Sequence, residues 1–168
     1  MDEIIIEFLK ESNAIEGVYD SDSLKQAIYA WEYISAQDEI TPHDVLRTHK
    51  ILMLNQKLLP DEKGYFRHCK VYIGGREGME YNKISKAIME WCAEMNRQDW
   101  CRIRDNGGDN FEYISKTLHV KYEKIHPFVD GNGRTGRIFM NWWRIKNNLP
   151  ILVIHEGKEQ MDYYKWFK

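Results

Sequence analysis

Apolar residues recur at helical spacing through most of this chain, and that periodicity constrains the fold more than any other feature. Leu24, Ala27, Ile28, Trp31 and Ile34 form one stripe, and Val45, Leu46, His49, Leu52 and Met53 a second. Ile84, Ala87, Ile88, Trp91, Cys92 and Met95 make a third, and Ile114, Leu118, Tyr122 and Ile125 a fourth. Ile138, Phe139, Trp142 and Ile145 follow, with the adjacent Trp142 and Trp143 expected in the core. Start signals agree: Asp20-Ser21-Asp22-Ser23 offers N-caps, and Thr41-Pro42 is a cap followed by proline at the first helical position. Shorter helices are expected at 2–11, closed near Gly17, and from Lys158 to Phe167. Leu59–Gly64, Asn106–Asp109 and Asn147–Pro150 read as breaks. Strand formers concentrate in 65–73, which ends at Gly74-Gly75 and predicts a hairpin over about 64–76; Ile151–Ile154 is a short strand-like run. The expectation is an all-α bundle with one small β-hairpin, as a single domain over 1–168.

Composition narrows the function classes. A formal net charge of −2 gives no general affinity for nucleic acid or for an anionic membrane. The apolar runs are far shorter than the roughly 20 residues a spanning helix needs, and Ile4-Ile5-Ile6 between acids is no signal peptide. Three cysteines, Cys69, Cys92 and Cys101, are odd in number and lack C-x-x-C spacing, which suits a reducing, cytoplasmic setting over a disulfide framework or zinc site. Nothing beside Cys69 supports a nucleophile role.

One stretch carries the chemistry: His126-Pro127-Phe128-Val129-Asp130-Gly131-Asn132-Gly133-Arg134-Thr135-Gly136-Arg137. The glycines let backbone approach an anion, and Asn132-Gly133 can present amides where a helix begins. Arg134 and Arg137, three apart, share a helix face and can grip successive phosphates. Asp130 is a hard oxygen ligand suited to Mg²⁺, and His126 can act as a base near neutral pH. Gly131–Gly136 also fits G-x-G-x-x-G, with Glu156 twenty residues on, but no buried strand precedes it and no β-α repeats surround it, which argues against a Rossmann site. A Walker A loop is excluded because Arg137-Ile138 stands where Lys and Ser/Thr are required. His119 and Glu123, four apart on a helix, lack a third metal ligand and read as structural.

The stretch resembles the signature of the Fic family, H-P-F-x-[DE]-G-N-G-R-x-x-R, at every specified position. Ser12-x-x-x-Glu16-Gly17 resembles that family's inhibitory motif [ST]-x-x-x-E-[GN], the 64–76 hairpin its flap, and Tyr163-Tyr164 its base pocket. The resemblance implies a Fic-type helical bundle that transfers AMP from ATP to a Ser, Thr or Tyr hydroxyl of a target protein or of the chain itself. His126 would be the base, Asp130 the Mg²⁺ ligand and Phe128 a core anchor. Gly131, Asn132 and Gly133 would form the anion hole, and Arg134 and Arg137 would hold the phosphate tail, Arg137 nearest the γ-phosphate. Glu16 would pair with Arg137 and block ATP, with Ser12 and Gly17 completing an inhibitory segment over about 2–17. Val71, Tyr72 and Ile73 would dock the target, although Gly74–Gly78 stands where proline-rich flaps are common. The closing helical segment usual in the family would fall beyond Lys168. A homo-oligomer is compatible with the family, and AMP removal, another nucleotide, or a non-catalytic binding module are the alternatives. The last fits poorly with an intact His126 and Asp130.

Overall fold

A computed structural model describes residues 2–97 and 110–168. Seven α-helices are placed there: α1 (Glu3–Ala14), α2 (Ser21–Ser35), α3 (Pro42–Leu52), α4 (Ile84–Met95), α5 (Asn110–Ile125), α6 (Asn132–Lys146) and α7 (Lys158–Tyr164). One hairpin, β1 (Tyr72–Ile73) and β2 (Arg76–Glu77), lies between α3 and α4. Cys101 and the break expected at Asn106–Asp109 lie outside the described residues.

The helices begin where side chains can satisfy their free amides. Asp20 Oδ1 accepts from Ser23 N at 2.8 Å to start α2. Thr41 and Asp44 form a reciprocal capping box for α3, with Pro42 behind the cap. The chain leaves α1 through a Schellman closure, in which Val18 N–H reaches Asn13 O, Gly17 N–H reaches Ala14 O, and Gly17 takes φ 70°. That closure holds Glu16 at a defined place beside the bundle.

Helix α6 runs through the middle, against α1, α2, α3 and α5. From Arg134 to Arg144 every residue is buried, as expected of a helix covered on all sides. Trp142 and Trp143 are core residues, as their spacing implied. Three arginines are buried in this helix as well, and each has assigned partners. Arg144, for example, clamps Glu112 of α5 with two bonds of 2.6 and 2.8 Å and donates to Pro150 O.

The hairpin is shorter and later than its sequence suggests. Pairing is confined to Tyr72 with Glu77 and Ile73 with Arg76, around Gly74 (φ 55°) and Gly75 (φ 81°). Two consecutive positive φ values are the geometry of a type I′ turn, which only glycine-like residues enter cheaply. Residues 65–70 stay irregular because side chains and the loop before α6, rather than a neighbouring strand, bind their backbone. The strand-like run Ile151–Ile154 is also unpaired with any strand among the described residues.

Candidate active site

The loop between α5 and α6 turns sharply, with His126 at φ 49° and Gly131 at φ 79°. A side chain at Gly131 would be strained by that φ, and its Cβ would lie 2.7 Å from Met53 Sδ. Asn132 braces the turn: its side-chain oxygen accepts from Phe128 N and its amide donates to Phe128 O, both at 2.9 Å. The Asn132 side chain therefore shapes the loop, and what it can offer an anion is its main-chain N–H. The amides of Asn132, Gly133 and Arg134 precede the first helical bond, from Thr135 N to Gly131 O, and lack intrahelical acceptors.

Phe128 is fully buried and stacks on His49 at 3.6 Å between ring centroids. Gly64 N–H donates to His49 Nδ1, so His49 Nε2 carries the proton and donates to Asp130 O. Burial drives the His49 pKa down to about 4, leaving it neutral at physiological pH. His49 was visible in sequence only as one member of an apolar stripe.

Seven of the expected site residues line a cleft of about 610 Å³. His126, Gly133, Arg137 and Glu16 line its floor, Tyr163 and Tyr164 one wall, and Ile73 and Gly74 of the hairpin another. His126 is held below its ordinary pKa, first by burial and then by the nearby Arg67 charge; the Glu123 carbonyl, Asp130 and Glu16 pull the other way. Asp130 lies outside this floor with an exposed carboxylate, 3.5 Å from buried Arg134 Nη2.

Arg137, only 2% exposed, is bound to the N-terminal segment. Its Nε donates to Ser12 Oγ at 2.9 Å, and its Nη2 to Ser12 O and Glu16 Oε1, both at 2.8 Å. Nη1 donates to Tyr163 OH at 3.2 Å. That hydroxyl can then donate to His119 Nε2 at 2.8 Å, consistent with the burial that drives His119 down to about 3 and keeps it neutral. His119 is thus a brace for Tyr163. The Glu16 carboxylate lies against Gly133, where any Cβ would collide with it. Among the described residues no group of three His, Cys, Asp or Glu could hold a metal ion.

Placement of the hairpin residues is uneven. Ile73 faces the cleft, whereas Tyr72 is 71% exposed on the other side. Val71 O is taken by Gly78 N. Alternation of the antiparallel ladder then leaves the Tyr72 N–H and C=O on the open edge.

One charged residue went unrecognised in the sequence, and another was read there only as structural. Arg67 binds the His126 loop, and its only signal was a cation within a run of strand formers. Glu123 lines the cleft with Oε1 sealed and unpaired, and burial pushes its pKa up to about 7.

The chain matches the Fic/DOC family over residues 39–143. It is 29% identical over 143 residues to the protein adenylyltransferase Fic of Drosophila willistoni, covering 83% of this chain and 27% of that protein. The Drosophila mojavensis counterpart is 29% identical over 166 residues, 95% of this chain and 29% of its own length. This chain thus spans little more than a quarter of either relative. Among solved structures, Fic-1 from C. elegans superposes with a TM-score of 0.79 at 21% identity, over 98% of this chain and 55% of that one. A Fic-domain-containing signaling protein from Bacteroides thetaiotaomicron gives 0.74 at 19% identity, over 98% and 70%.

Proposed function

Because this chain belongs to the Fic/DOC family, we propose that it transfers AMP from ATP to a hydroxyl of a target protein and that Glu16 restrains the transfer. One observation carries the reading: the same cleft joins a histidine held below its ordinary pKa, the free amides of a helix start, and a buried guanidinium. A pure binding module would need the last two but gains nothing from the first.

Neutral His126 takes the proton of the target Ser, Thr or Tyr hydroxyl. The oxygen attacks the α-phosphorus, the bond to the β-phosphate breaks, and pyrophosphate leaves. The amides of Asn132, Gly133 and Arg134 face charge that grows on phosphoryl oxygen. Arg134 and Arg137 hold the phosphate tail, and Tyr163 and Tyr164 flank the base. Asp130, a single exposed carboxylate, would hold Mg²⁺ as its one protein ligand in this loop. When bound, that ion supplies neutralisation of phosphate charge. The open main-chain edge at Tyr72 suits an extended target segment paired as an added strand.

Glu16 opposes this chemistry twice, by occupying Arg137 and by covering Gly133. An AMP-removing activity would use the same carboxylate to orient water. Intact-mass spectrometry after incubation with ATP and Mg²⁺ tests the reading on wild type, Glu16→Gly and Glu16→Gly/His126→Ala, with lysate proteins as acceptors and a chelated control. We expect added AMP only with Glu16→Gly, lost in the double variant and on chelation. No AMP in any sample refutes transfer, and equal modification by wild type and Glu16→Gly refutes restraint. As for setting, no described helix is long and apolar enough to cross a membrane.

A further inference from the structure

Arg67 is 2% exposed, yet no carboxylate among the described residues is paired with it. Its partners are three main-chain carbonyls: Nε donates to His126 O at 2.7 Å, Nη1 to Cys69 O at 2.7 Å, and Nη2 to Met79 O at 2.6 Å. Its own N–H donates to Pro127 O at 2.9 Å. These carbonyls belong to the imidazole-bearing loop and to the two feet of the hairpin. A buried cation without an anionic partner is a poor stabiliser. Its planar fork, however, can fix three segments at once.

Two features depend on that fixing. His126 has a left-handed backbone, a conformation that a residue with a Cβ keeps only where its surroundings impose it. Bonds to His126 O and Pro127 O impose it from outside the loop. The hairpin, with two paired residues per strand, is also too short to be rigid alone.

Resting on the proposed transfer reaction, we infer that Arg67 is a positioning residue that locks the hairpin to the His126 loop and keeps a positive charge beside the imidazole. It thereby sets the gap between the target-docking edge and the base, and it favours the unprotonated ring that can accept a proton. Other groups face His126 as well: Glu16 from α1, Asp130 from its own loop, the carbonyl and carboxyl of Glu123 from α5, Tyr163 and Tyr164 of α7, and Glu77, Lys124 and Arg137 across the cleft. The nearby acids favour the protonated ring, so Arg67 opposes them.

The test needs no target protein. His126 is titrated by NMR in the full chain with ¹⁵N-labelled histidine, its signal assigned by loss in His126→Ala, in wild type, Arg67→Lys and Arg67→Gln. Hydrogen exchange is followed at the amides of 70–79. The lysine variant keeps the charge but loses the fork, whereas glutamine loses both. We expect His126 to titrate at higher pH in Arg67→Gln and near wild type in Arg67→Lys. Hairpin exchange should rise at least about tenfold in both, the equivalent of one lost hydrogen bond. An unchanged titration in folded Arg67→Gln overturns the charge role, and unchanged exchange in Arg67→Lys overturns the clamp. If Arg67→Gln does not fold, Arg67→Lys still decides the clamp, and Arg67→Met on a thermally stabilised background decides the charge. Neither readout uses AMP transfer, so failure of that reaction leaves both results interpretable.

Discussion

Replacing Glu16 by alanine should destabilise the empty protein while making it a better receptor for ATP. The change removes the 2.8 Å bond to Arg137 Nη2, while Ser12 Oγ, Ser12 O and Tyr163 OH continue to hold the guanidinium. A hydrogen bond to a charged group contributes about 1.5–3 kcal/mol. The Glu16 side chain is 37% exposed, and solvent screening reduces that to about 1–2 kcal/mol. This is below the roughly 3–5 kcal/mol for breaking a fully buried pair, because Arg137 keeps three partners and the carboxylate touches water. For a chain of this size the melting temperature should fall by about 2–8 °C. ATP should then reverse the loss, since ligand at a hundred times its Kd contributes about 2.7 kcal/mol. The discriminating comparison is ATP against ADP with Mg²⁺ in thermal melts. Wild type should respond almost equally to both, because Glu16 occupies the guanidinium proposed to take the third phosphate. In Glu16→Ala, ATP should stabilise clearly more than ADP. Equal responses in the variant would refute the assignment of Arg137 to the terminal phosphate, and an unchanged melting temperature would refute the energetics.

Two further outcomes follow from the buried face of α6. Gly136→Ala should lower the urea midpoint, by about 1–3 kcal/mol of stability, although alanine normally favours a helix. Its Cβ would lie 2.5 Å from Glu123 Oε1, 2.9 Å from His119 Cε1 and 3.0 Å from Tyr122 Cδ1. An unchanged midpoint would mean that this face packs more loosely than its distances imply. Glu123, pushed up to about 7 by burial, keeps its proton in the folded state over a range where the unfolded chain has released it. Its contribution to stability is complete below the ordinary carboxylate range and is lost as pH rises through about 7. Unfolding free energies across pH 5 to 8 (about the range that matters here) should fall more steeply in wild type than in Glu123→Gln, and parallel curves would contradict the shift.

How much could be read in advance depended on the range of the interaction. Helix stripes and caps are local, and Asp20, Thr41-Pro42 and Gly17 act within a few residues, so the bundle was legible. The loop from His126 to Arg137 stood out in the sequence because its candidate reacting groups are contiguous. The Glu16 contact with Arg137 crosses 121 positions, and nothing in the spacing announced it. Only the resemblance at Ser12–Gly17 did. Arg67 and His49 were missed for a related reason: both bind main-chain atoms of a distant loop, and a carbonyl leaves no trace in residue identity.

The unpaired strand-like run at Ile151–Ile154 has a more specific cause. Extended segments need their amides and carbonyls paired, and strand formers suggest a neighbouring strand will do it. Here asparagine side chains do it instead, each giving one residue both a donor and an acceptor. Asn141 binds Leu152 N at 2.8 Å and Leu152 O at 3.0 Å, so Ile151–Ile154 lies extended against α6 with no ladder. Asn96 binds Ile40 N and O at 2.8 and 2.7 Å, and Asn132 does the same for Phe128. An amide side chain mimics one peptide unit of a partner strand, which is enough for one residue but cannot propagate. Helices therefore pin extended connections without building a sheet. In the Asn132 case the connection pinned is the loop that carries His126, so the device that leaves Ile151–Ile154 without a ladder also shapes the candidate active site.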